Sequence, residues 1–196
     1  MINKISESLT DVLVKKEVIS KDDYEIYQFG IDCFIMKSIH IISYFILALI
    51  FHKLPELAVF LIAFIPLREY AGGYHAKTSL KCYFVSCIAV ISYLILISYI
   101  NQDIFIYSYI IAIVASILIL LIAPVETSNK PLDEKEKTVF KKRACLLTVV
   151  ELSLVILLWV TKFYQMSFII SIGLFYVLCI AFIGIASNVM NKMRKN

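Results

Sequence analysis

From residue 32 onward the chain is a succession of long apolar runs, at 32–52, 54–67, 83–100, 104–124, 145–161 and 166–187. A helix needs about 20 apolar residues to cross roughly 30 Å of hydrocarbon, and lipid offers no partner to an unpaired backbone N–H or C=O. The expected fold is therefore all-α, a polytopic integral membrane protein with six transmembrane helices. Composition agrees: 61% of the 196 residues are hydrophobic, against roughly 45–50% apolar content in a soluble domain. Long hydrophilic stretches are missing, so residues 1–196 read as a single membrane-embedded domain with no nucleic-acid partner.

Charge orients the helices. Nearly all of the 19 Lys and Arg residues fall in the N-terminal segment, in 68–82, in the basic loop 125–143 and in the tail, while the alternate loops hold only Lys53 and Lys162. Basic loops stay on the cytoplasmic side, which places both termini, the 68–82 insert and the 125–143 loop there. An even number of crossings follows. The first residues, Lys4, Glu7, Asp11, Lys15, Lys16 and Glu17, do not resemble a signal peptide and are expected to be retained.

Within the N-terminal segment 1–30, Ile2, Ile5, Leu9, Val12 and Leu13 recur at helical spacing between charged residues. This predicts an amphipathic helix that lies at the bilayer interface or packs on the bundle. Ser20 and Asp23 fit a capping box that starts a second helix. The run 54–67 would rise only about 21 Å, so the insert that follows begins at or below the cytoplasmic interface.

That insert, from Arg68 to Cys82, holds the chain's most chemically loaded residues. Cys33, Cys82, Cys87, Cys145 and Cys179 are odd in number and do not read as a disulfide framework. Ligand spacing for a metal is missing too, and no cofactor is called for. A cysteine nucleophile needs a nearby base or positive charge. His75 can be that base, and Arg68, Lys77 and Lys81 supply charge. On one unbroken helix His75 and Cys82 would lie about 10.5 Å apart along the axis, too far for a hydrogen bond, so the 70–81 segment is predicted to bend at Gly72 and Gly73. Cys33 and His40 repeat the spacing in reverse within an apolar run; with Lys37 they read as structural. Arg68 can steady an oxyanion or substrate carboxylate, or anchor a helix end at the headgroups. Glu69 stands beside it, and the residue that would orient the histidine is unassigned.

At these residues the chain resembles the accessory gene regulator B family of quorum-sensing membrane peptidases. The pattern is Arg-x-x-x-Gly-Gly-x-His, six residues, then Cys, carried by Arg68, Gly72, Gly73, His75 and Cys82. Ala123-Pro124 followed by Lys130-Pro131 is a second match. The resemblance implies a multi-pass protein of the bacterial cell membrane in which Cys82 is the nucleophile and His75 the base, with Arg68, Gly72 and Gly73 in support. It implies as substrate a short amphipathic precursor peptide with an acidic C-terminal tail. Cleavage through a Cys82 thioester would be followed by closure of a thiolactone or lactone ring, giving an autoinducing peptide. Lys130 is a candidate contact to that substrate, the lipid bilayer is the other partner, and a homodimer is suggested by family analogy. The competing reading is a peptide or small-solute transporter, or a scaffold, with Glu151 as its deep acidic residue.

Overall fold

A computed structural model of the chain describes residues 2–74, 76, 78–127 and 132–193. It is helical nearly throughout. In order come α1 (Ile2–Lys15), α2 (Tyr24–Ile50), α3 (Leu54–Ala71), α4 (Ser79–Tyr99), a 3₁₀ turn over Gln102–Tyr107, α5 (Ser108–Ile122), α6 (Glu134–Val160) and α7 (Tyr164–Met193). Among the described residues the only extended pairing outside helices is a single parallel bridge between Gly72 and Val125.

Five of these segments are long and apolar enough to cross a membrane: α2, α4, the 3₁₀ turn with α5, α6 and α7. The sequence reading expects six. The difference lies in α3, which has 18 residues but carries Glu56, Arg68 and Glu69. Its apolar middle is flanked by charge at both ends. The helix also runs past the expected end at residue 67, so Arg68 and Glu69 belong to its last turn and not to the insert. Likewise the basic 125–143 stretch is not a loop throughout, because α6 begins at Glu134. Asp133 caps it, accepting from the Glu136 N–H at 2.6 Å while Glu136 accepts from the Asp133 N–H at 3.1 Å. This reciprocal exchange satisfies two donors at the helix start.

At the other predicted capping box, Ser20 Oγ donates to Asp23 at 2.8 Å and accepts from its N–H at 3.3 Å. The helix starts only at Tyr24, so the pair closes a turn ahead of α2 and does not cap it.

The helix α7 is central, packing against α3, α5 and α6. Small polar side chains tie these helices where there is no water to drive association. Ser108 and Ser167 hydroxyls meet at 2.7 Å, and Ser167 Oγ lies 3.0 Å from the Val155 carbonyl. In α3 and α4, Phe60 stacks on Tyr93 at 4.0 Å, and Tyr93 donates to the Glu56 carbonyl at 2.9 Å. The first part of α4 leans instead on α2, where Ser43 and Tyr83 hydroxyls meet at 2.8 Å.

α1 packs against α2. Its Ser6 and Thr10 are buried, while Ile5, Leu9 and Val12 remain 45–47% exposed. These side chains of the apolar stripe therefore face away from the protein.

Candidate active site

α3 ends at Ala71 because the next two residues hold conformations that side chains resist. Gly72 has φ +75° and Gly73 φ +116°, and only glycine enters such regions freely. Space enforces the same choice. A Cβ at Gly72 would run into the Val125 carbonyl, and one at Gly73 would come 2.8 Å from the Ile180 carbonyl oxygen.

The turn that follows is pinned on three sides. Val125 N–H donates to Ala71 O at 2.9 Å and Gly73 N–H to Val125 O at 2.8 Å. Tyr74 N–H donates to Ile180 O, within α7, at 3.0 Å. From α3, the Arg68 guanidinium donates through Nη1 to Gly72 O at 2.7 Å and through Nη2 to Tyr74 O at 2.6 Å. A planar fork of donors suits two carbonyls held in fixed relation. These bonds give Arg68 a supporting role beside the two expected for it. Two of its donors serve the backbone of the turn, which makes it a brace for the glycine segment.

Cys82 lies in the first turn of α4. Thr78 caps that helix, its side chain accepting from Lys81 N–H at 3.3 Å, and Cys82 N–H donates to Thr78 O at 3.0 Å. The cysteine is exposed, and the start of a helix favours negative charge. The 70–81 segment is not one straight helix, since the chain leaves α3 at Ala71 and enters α4 at Ser79.

His75, Lys77 and Lys130 lie outside the described residues. Of the sequence candidates, Arg68, Gly72 and Gly73 form one braced unit, with Cys82 on the neighbouring helix start. Cys33 and His40 sit on the unbroken α2. His40 Nδ1 lies 2.7 Å from Met36 O, so that nitrogen carries the proton, and its ring packs edge-on against Tyr44 and Tyr83.

Sequence reasoning missed the supports around the turn. Val125, next to the Ala123-Pro124 pair, makes the second motif the backbone partner of the first. Gly184 in α7 touches the turn, and Asn188 donates to Glu126 O at 2.6 Å. Arg143 of α6 donates to the Tyr70 hydroxyl at 2.8 Å, tying the basic region to the end of α3. Gly184, one of two glycines in α7, was the available signal for a close backbone approach.

Residues 6–184 match the family described as Accessory gene regulator B. The chain belongs to the accessory gene regulator B family. Curated relatives of the AgrB family agree. An AgrB-like protein of Clostridium perfringens strain SM101 is 32% identical over 149 residues, covering 72% of this chain and 70% of that protein. An AgrB-like protein of Listeria innocua is 27% identical over 184 residues, covering 90% and 86%. The accessory gene regulator protein B of Staphylococcus saprophyticus is 31% identical over 117 residues, or 60% of each chain. No solved structure matches the chain. Membership in the AgrB family implies a peptidase that processes an autoinducing-peptide precursor at the membrane.

Proposed function

We propose that this chain is a membrane cysteine endopeptidase that removes the C-terminal tail of a short precursor peptide and promotes its cyclisation. The observation that carries this reading is the braced glycine turn. Arg68, Gly72 and Gly73 hold the backbone leading into His75, and Cys82 stands exposed in the first turn of the next helix.

In the proposed reaction His75 takes the proton of the Cys82 thiol as sulfur attacks the scissile carbonyl. The C–N bond breaks, His75 returns the proton to the leaving amine, and the acidic tail departs. What remains is a thioester between Cys82 and the new C-terminus of the precursor. A thiol or hydroxyl within the precursor then attacks that carbonyl, closing a thiolactone or lactone ring, and its proton restores the Cys82 thiol. Ring closure outruns hydrolysis when the internal nucleophile is held close and water is scarce. A site at the membrane edge favours both conditions.

Six crossings fit this reading, with α3 as the sixth and its charged last turn at the cytoplasmic face. Both termini and the site then share the cytoplasmic side, where basic residues of the 125–143 stretch attract an acidic tail. Lys130 is the proposed substrate contact in that stretch. The whole chain acts as one membrane-embedded unit.

The test is intact-mass analysis of the purified protein in bilayers, incubated with a cognate precursor, with peptide mapping of any adduct. The expected result is an acyl mass on Cys82, a released C-terminal fragment, and neither with Cys82→Ala. Cleavage that persists in Cys82→Ala would overturn the assignment.

A further inference from the structure

Three positions on α7, Ile180, Gly184 and Asn188, are spaced four apart and so lie on one face of the helix. Each meets a segment that carries one of the sequence motifs. The Ile180 carbonyl accepts from Tyr74 N–H at 3.0 Å. Gly184 lies against the Gly73–Tyr74 peptide: a Cβ there would come 2.7 Å from Gly73 C and Tyr74 N and 2.8 Å from Gly73 Cα. Asn188 Nδ2 donates to Glu126 O at 2.6 Å, beside the Val125 that pairs with Gly72 and Gly73.

We infer that this face of α7 is a positioning element for the reaction, with Gly184 the residue that sets how deeply the turn before His75 seats. The inference rests on the peptidase reading above for its catalytic consequence, though not for the geometry. The contacted atoms at Gly184 are all backbone of the turn and cannot rotate aside. Any side chain at 184 therefore displaces the turn, while α7 itself gains a better helix former. Nothing in that helix alone calls for glycine.

Gly173 supplies a matched control. It sits in the same helix, and its added Cβ would meet Ala63 Cβ at 3.5 Å, an ordinary contact. Gly184→Ala and Gly173→Ala thus make the same chemical change, and only the first reaches the turn.

Two readouts in the bilayer-embedded full chain separate the parts of the claim. The first is hydrogen exchange of the Gly73 and Tyr74 amides, which depends on the Val125 and Ile180 bonds and on no catalytic assignment. In Gly184→Ala exchange should rise at least about tenfold, with Gly173→Ala near wild type. The second is precursor cleavage, where kcat should fall by on the order of 100-fold with KM within about twofold, as expected for misplacement on the scale of 1 Å. Unchanged exchange in Gly184→Ala would overturn the inference, as would faster exchange with unchanged kcat. If Cys82→Ala still cleaves, the peptidase reading fails on that result, and the exchange comparison still decides whether Gly184 seats the turn.

Discussion

The Arg68 guanidinium reaches past the end of its own helix to the carbonyl oxygen of Tyr74, 2.6 Å away, while its other arm holds Gly72 O at 2.7 Å. A side chain in the last turn of α3 thereby fixes the direction in which the chain leaves it. Both acceptors are neutral carbonyls, so neither bond cancels the guanidinium charge.

Arg68→Lys should separate charge from shape. An ammonium keeps the charge yet cannot present two parallel donors. Cleavage of precursor should fall about tenfold or more, equivalent to about 1.4 kcal/mol of barrier. Steady-state kinetics in bilayers checks this, and wild-type kcat would show that charge alone suffices.

Gly72→Ala should destabilise the protein by more than about 1 kcal/mol, since it combines a positive φ with a collision at Val125 O. Gly30→Ala is the counterpart, with nothing within 4 Å of the added Cβ. On α2 it should be neutral or stabilising by up to about 1 kcal/mol. Thermal unfolding of both variants in one detergent measures the contrast.

Of the five cysteines, Cys82 alone is exposed, and the others are partly buried. A water-soluble maleimide should modify Cys82 first and stop precursor cleavage. Replacing Cys33, Cys87 or Cys145 with Ala should leave cleavage intact. Modification mapped by peptide mass, alongside residual activity, tests both statements.

Ser167→Ala removes a hydroxyl that meets Ser108 and the Val155 carbonyl inside the bundle. The cost should be about 0.6 kcal/mol and no more than about 1.7, the range for hydrogen bonds between membrane helices. Equilibrium unfolding in mixed micelles measures it, and cleavage by the folded protein should not change.

Much of the fold was legible because hydrophobic length and charge placement are properties of single segments. The amphipathic α1 and the break at Gly72 follow from local pattern, whereas α4 begins at Ser79, ahead of the expected 83–100 span, and takes Cys82 into its first turn. The helix boundary at Ala71 was misjudged because Arg68 and Glu69 read as loop residues, whereas each can remain helical with its charge directed out at the helix end. The supports at the site were less legible. Val125, Ile180, Gly184 and Asn188 approach the turn from parts of the chain 50 to 110 or so residues away, and a hydrogen bond between main-chain atoms leaves no mark on side-chain identity. Gly184 left a trace as a glycine within a helix, but Gly173 leaves the same trace and makes no such close approach.

Cys82 stands at the end of a lever. α4 is anchored to α3 and α7 near its middle, by Tyr93 on Glu56 O and Ser92 against the Tyr176 hydroxyl, and nearer its start Tyr83 meets Ser43 of α2. About 16 Å of helix separates the thiol from that fulcrum, so a tilt of about 5° at Tyr93 moves the sulfur by roughly 1.4 Å. The glycine turn is held separately, by Arg68 of α3, Ile180 of α7 and Val125. A tilt of α4 alone would therefore shift Cys82 against the turn without unmaking any bond of that clasp.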